Sequence, residues 1–167
     1  MEPANAPLAA APRGALRSTS PERTRAVGRA IGAHAGAGTV IALIGELGAG
    51  KTQLTKGIAD GLGVRSVVNS PTFVLMNEHE GRLHLHHVDA YRLDDPADAV
   101  AAGLLDERQA AGIVVIEWAD RLEGWLPAER LDITLERDDT DANARDMAWV
   151  AHGPDHERLA AEALGAA

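Results

Sequence analysis

The stretch TVIALIGELGAGKT, Thr39–Thr52, sets a short apolar run directly against a glycine-rich octapeptide. Its first half, TVIALIG, is rich in β-branched residues and has no polar face, as a strand buried in a parallel sheet requires. Its second half, Gly45-Glu46-Leu47-Gly48-Ala49-Gly50-Lys51-Thr52, satisfies the phosphate-loop pattern G-x-x-x-x-G-K-[ST] at every fixed position. The residue types follow from the chemistry. Glycines let successive backbone N–H groups point inward as an anion nest where a Cβ would crowd the phosphates. A helix starting near Lys51 and running through Gln53 adds its positive N-terminal end. Lys51 places a mobile charge on the β- and γ-phosphates, and the Thr52 hydroxyl suits Mg²⁺, which keeps several waters and needs few protein ligands. The strand before and the helix after are the context the motif needs. Nucleotide binding is the reading; what the nucleotide is for stays open.

Outward from that stretch, SPERTRAVGRAIGAHAG reads as a helix, with Ser20 as cap, Pro21 at the first helical position and Glu22 at the positive end. QLTKGIADGLGV is a second helix that Gly61 or Gly63 stops. PTFVLMNEHEGRLHLHHVDAYRL holds two extended runs meeting at Glu80–Gly81, where a left-handed glycine would make the tight turn of a β-hairpin. DDPADAVAAGLLDERQAA is helical from Asp95-Pro96, GIVVIEW is another buried strand, and RLDITLERD with RDMAWVAHG forms a final antiparallel pair. The expected architecture is one α/β domain of the P-loop NTPase type: a mixed sheet with flanking helices and an antiparallel hairpin. Residues 1–18 read as a disordered leader, 19–153 as the P-loop ATPase domain, and 154–167 as a C-terminal tail with helical character.

Bulk properties narrow the function. A chain of 167 residues buries roughly two-thirds of its unfolded surface, enough for an unstapled core. There is no cysteine, which removes thiolate catalysis and Cys-type zinc sites. A formal charge of −9 repels polyphosphate backbones, and 3% aromatic content gives no base-stacking platform, so unaided grip on RNA or DNA is not expected. No apolar run reaches membrane-spanning length, and the expectation is a soluble cytoplasmic protein.

Three further segments carry candidate chemistry. Glu117 ends the apolar strand GIVVIEW, where phosphate-loop proteins commonly place an acid that holds Mg²⁺ directly or through water. Strand alternation turns Trp118 away from Glu117, leaving core packing and a place near the nucleotide both open. In HLHHVDAYR, His84–Arg92, the same period puts Leu83, Leu85, His87, Asp89 and Tyr91 on one face and His84 and His86 on the other. A zinc site on His84 and His86 needs two further ligands, for which the sequence names no candidate, so these two are expected to be partly solvated. Asp89 is placed to orient an attacking water or support a Mg²⁺ shell; an Asp89–Arg92 surface pair is the plain alternative. In Asn69-Ser70-Pro71-Thr72, Pro71 forces Ser70 to be extended. On chemistry alone the segment is a turn, although Ser70 and Thr72 hydroxyls are short enough to act as a γ-phosphate switch.

Together GELGAGKT, SPTF, HVDAYRL and IEW, in that order and spacing, closely resemble the TsaE (YjeE) family, the small ATPase of the bacterial machinery that makes threonylcarbamoyladenosine in transfer RNA. ERTRAVGRAIG adds weaker support, and the resemblance covers about Glu22 to Arg137. It implies an ATPase with Thr52 and Glu117 at Mg²⁺, Lys51 on the phosphates and Asp89 important for hydrolysis. It further implies Ser70 to Thr72 as a switch-like segment, Thr24 near the adenine, and TsaD-like and TsaB-like protein partners through which the chain would meet tRNA. Val88, Ala90 and Ala119 replace the larger or cyclic residues usual in the family, which touches packing more than chemistry. Two other readings share the loop: a small-molecule or nucleoside kinase, although the arginines are scattered rather than gathered in a lid, and a nucleotide-binding interaction module with a weak site.

Overall fold

The computed structural model describes residues 10–69, 76–101 and 110–165. Its elements are β1 (Arg13–Ser18), α1 (Pro21–His34), β2 (Val40–Ile44), α2 (Lys51–Gly61), β3 (Met76–His79) and β4 (Leu85–Asp89). They continue with α3 (Pro96–Ala101), β5 (Ile113–Glu117), a 3-10 turn (Ala119–Leu122), β6 (Arg130–Arg137), β7 (Arg145–His152) and α4 (Pro154–Ala163). One seven-stranded sheet runs in the order β1-β7-β6-β2-β5-β4-β3. The inner strands β6, β2, β5 and β4 are mutually parallel, while β7, β1 and β3 add antiparallel flanks. This is the expected mixed α/β sheet with flanking helices.

The fully apolar strands go where their composition sends them, to the centre. Alternation divides their side chains between two clusters. Ile41, Leu43, Leu85, Ile113, Val115, Leu131 and Ile133 face α1, α2 and α4, and Ala42, Val88, Val114 and Ile116 meet the 3-10 turn on the other face. Ser20 caps α1 by accepting from the Arg23 N–H at 3.1 Å, and Gly63, at φ 73°, ends the turn after α2. Helices α1 and α2 touch backbone to backbone. A Cβ on Gly28, Gly32, Gly57 or Gly61 would come within 2.3 Å or less of a carbonyl oxygen of the facing helix.

Three expectations change. Residues 13–18 are not leader but the edge strand β1, paired along its length with β7, and Arg17 bridges to Asp138 and Asp146. The C-terminal segment is helical as expected, over Pro154–Ala163, but it is packed rather than frayed: α4 buries Leu159 and Ala160, and the His156 Nε2 accepts the Val40 N–H at 3.1 Å. The β3–β4 connection spans residues 80–84 rather than a two-residue turn, and Gly81 is not left-handed. Gly81 matters for close approach instead, since a Cβ there would lie 2.5 Å from the Leu62 carbonyl oxygen that accepts from Arg82 N. Residues 102–109 of the 94–111 helical segment and the Ser70–Thr72 segment fall outside the described residues.

Candidate nucleotide site

The site assembles at the carboxyl ends of three neighbouring parallel strands, β2, β5 and β4, the edge at which open α/β sheets bind ligands. Gly45–Gly50 link β2 to α2, whose first residue is Lys51. Gly48 and Gly50 have φ of 77° and 104°, the left-handed conformations that the sequence pattern reserves for glycine. The loop is braced from two sides. The Ala49 N–H donates to Glu46 O at 3.0 Å, and the Arg145 guanidinium on β7 donates to Gly48 O at 3.1 Å. Nothing in the local sequence announced Arg145; it reaches the loop only because β7 lies two strands from β2.

Lys51 is buried, and its ammonium donates to the carbonyls of Gly45 (2.5 Å) and Glu46 (2.9 Å) while lying 4.1 Å from the Trp118 ring centroid. Burial pushes its pKa down, against the pull of Glu117, Asp89, Asp120 and Glu46. The Thr52 hydroxyl donates to Glu117 Oε1 at 3.2 Å. Glu117 is 2% exposed, and its other carboxylate oxygen is hydrogen bonded to Nε2 of His87, which is wholly buried. Burial, with help from the Glu117 charge, pushes the Asp89 carboxyl above its ordinary range, while the Tyr91 N–H, 2.9 Å from Oδ1, works the other way. Asp89 and Glu117 are register partners across β4 and β5, so the two acids stand side by side. Asp89 is bonded within its own turn, and no Asp89–Arg92 pair occurs among the described residues.

Trp118 packs against the Ala42, Val114 and Ile116 cluster on the side opposite Glu117, as alternation predicts, and also reaches Lys51. Its φ of 58° places it in the left-handed region, rare for a non-glycine residue. That turn swings the indole toward Lys51, where it also packs against Tyr91 at 4.9 Å between centroids. Beside it opens a cleft of about 1020 Å³ lined by Gly45, Glu46, Leu47, Trp118, Asp120 and the 134–140 segment. Leu47 is exposed at its rim, and Gln53 is half-buried in the first turn of α2. Thr24, expected near the adenine, does not offer its hydroxyl to a ligand. It is 1% exposed, and its hydroxyl donates to Ser18 Oγ at 2.7 Å inside the junction of β1 and α1. Ser70 and Thr72 lie outside the described residues.

The oxygen-rich set of Thr52, Glu117 and Asp89 is the hard-donor chemistry that Mg²⁺ prefers. The acids of the cleft, Glu46, Asp120, Glu136, Asp138 and Asp139 against Arg137, also favour a cation with any phosphate that enters.

The family model described as "Threonylcarbamoyl adenosine biosynthesis protein TsaE" matches residues 18–147. The chain belongs to the TsaE family. A TsaE protein of Bacillus subtilis is 41% identical over 147 residues, 87% of this chain and 90% of that protein. One from Mycobacterium leprae is 44% identical over 133 residues, covering 74% and 83% of the two chains. The crystal structure of Bacillus subtilis YdiB superimposes with a TM-score of 0.78 at 35% identity, over 92% of this chain and 95% of that one. The two curated relatives are named for tRNA threonylcarbamoyladenosine biosynthesis, the process in which the TsaE family takes part. His87 and Arg145 are the site residues that sequence reasoning did not single out. The signal for His87 was in view, since it shares a strand face with Asp89.

Proposed function

We propose that this chain is a Mg²⁺-dependent ATPase that supports N6-threonylcarbamoyladenosine formation in tRNA, working with TsaD-like and TsaB-like subunits. The observation that carries the reading is the convergence of Lys51, Thr52, Asp89 and Glu117 at the start of α2. In a phosphate-loop site the N–H groups of residues 48–52 cradle the β-phosphate, and the Lys51 ammonium leaves its loop carbonyls for the more negative phosphate oxygens. Thr52 and Glu117 would hold Mg²⁺, which neutralises charge on the β- and γ-phosphates when it arrives with ATP. His87 fixes one Glu117 oxygen and so leaves the other directed at Thr52. Asp89 accepts a proton-side hydrogen bond from the attacking water and orients it; its raised pKa makes it a better proton acceptor than a solvated aspartate. The net charge of −9 supports contact with tRNA through partners rather than directly.

The test is product analysis with Mg²⁺ and ATP, in the presence of the two partner subunits. Inorganic phosphate released to water, and dependence of tRNA modification on it, is the expected result. Transfer of the γ-phosphoryl group to a nucleoside or other small acceptor would make the chain a kinase and overturn the reading. Bound nucleotide with no turnover in the assembled complex would reduce it to an interaction module.

A further inference from the structure

The face of β4 turned away from the nucleotide site holds a second cluster. Glu78 on β3 and His86 on β4 are direct cross-strand partners, and His84 lies two residues before His86 on the same side. One donor atom from each of the three lies within 4.8 Å of the other two. His86 Nδ1 is 3.3 Å from Glu78 Oε1, and His84 Nε2 is 3.9 Å from Glu78 Oε2, so one carboxylate addresses both rings. The rings themselves lie 4.7 Å apart between centroids.

His86 is the decisive member. Its side chain is nine-tenths buried, and Nδ1 has no partner in hydrogen-bonding geometry despite the nearby Glu78 oxygen. A buried ring nitrogen without a partner calls for an explanation. The expectation that both histidines are partly solvated therefore holds for His84 and not for His86. The missing ligand is supplied by Glu78, which sheet register brings across and linear spacing does not reveal.

We propose that Glu78, His84 and His86 form a binding site for a borderline divalent cation of the zinc type. Two imidazoles and one carboxylate are a donor set that Zn²⁺ accepts, with a fourth position left to water at the open sheet edge. Donors around one tetrahedral ion stand roughly 3.3 Å apart, given ligand bonds of about 2.0–2.1 Å. The Glu78–His86 pair is already at that spacing, and the half-buried His84 and exposed Glu78 close the rest by side-chain rotation. The site is separate from the ATP reading. His86 projects to the opposite side of the sheet from His87 and Asp89, and Asp89 lies about 10 Å further along the strand. A bound ion would tie the edge strand β3 to β4.

The test uses the full-length chain without an affinity tag, stripped of metal and free of nucleotide, with Zn²⁺ delivered against a chromogenic chelator near neutral pH. One equivalent is expected to bind and to raise the melting temperature. His84→Ala, Glu78→Gln and His86→Ala should each weaken it by at least roughly tenfold, the loss that removing even a supporting contact to a metal ligand brings. Glu117→Gln should leave it unchanged. Imidazole resonances of His84 and His86 should shift with Zn²⁺ while those of His87 do not. Zn²⁺ held equally well by His84→Ala, shifts at His87 instead, or no Zn²⁺ retained against the chelator would each overturn the proposal. Should His86→Ala fail to fold, the less buried positions Glu78 and His84 decide.

Discussion

The two faces of β4 show how one short strand serves unlike chemistries. On one side His87 Nε2 hydrogen bonds to Glu117, whose other oxygen accepts from Thr52 at the start of α2, while His87 Nδ1 is itself left without a hydrogen-bond partner. On the other, His86 ends in an unpartnered nitrogen beside Glu78 and His84, close to water and linked to nothing in the loop. In the proposed readings the first face takes an anion that brings its own cation, and the second gives two imidazoles and a carboxylate to a bare cation. Burial acts on both, raising the pKa of Asp89 on one side and lowering that of His86 on the other.

Substitutions can separate the faces by their effect on ATP turnover. The largest loss should come from Lys51→Ala, roughly 10²–10³-fold or more in kcat/KM, on the scale of removing one preorganised donor to transition-state charge. An unchanged rate would detach the loop from the chemistry. Asp89→Asn comes next, expected to keep ATP binding while cutting kcat by about 10²-fold, the lower range for loss of a positioned acid–base group. Normal turnover would return Asp89 to a structural role. The same variant has a stability signature. Because the folded protein holds Asp89 above its unfolded pKa, ionising it is unfavourable to the fold. Asp89→Asn should therefore melt higher than the parent at neutral pH. The gain should shrink as pH falls through the raised pKa and vanish below the ordinary aspartate range.

Glu117→Ala should act less on kcat at saturating Mg²⁺ and more on the metal requirement, raising the Mg²⁺ needed for half-maximal rate by roughly tenfold. A normal metal response would remove Glu117 from the metal shell. At the far end stands His84→Ala, for which an unchanged ATPase rate is expected, since it lies on the opposite face of β4 from His87 and Asp89. A fall in kcat comparable to that of Asp89→Asn would show the faces to be coupled.

What the sequence made legible was local. The loop, the buried strand before it and the Ser20 cap of α1 are decided within a dozen residues, where glycine conformations, branched side chains and capping oxygens act directly. The alternation along β4 was equally readable and divided its histidines correctly. What escaped depends on partners far along the chain. RGALRS resembles leader until β7 arrives to pair with it, and Glu78 is unremarkable until register sets it opposite His86. Trp118 escaped for a different reason. Its ring packs on the side that alternation gives it, with Ala42, Val114 and Ile116, but the left-handed backbone and the approach to Lys51 are not readable from period two. Thr24 shows the remaining gap, for a hydroxyl that could have faced solvent is spent on Ser18 once β1 exists.

The contact between α1 and α2 has a consequence for how the family can vary. At Gly28, Gly32, Gly57 and Gly61 the obstacle to a side chain is the neighbouring helix's own carbonyl oxygens, which no rotamer change can move. Neutral drift elsewhere in the core can exchange one hydrophobe for another of like volume. Here the smallest possible mutation, glycine to alanine, must push a whole helix aside, and α2 carries the phosphate loop at its end. The seam, which has no chemistry of its own, thus holds the start of α2 in place as firmly as any residue of the site.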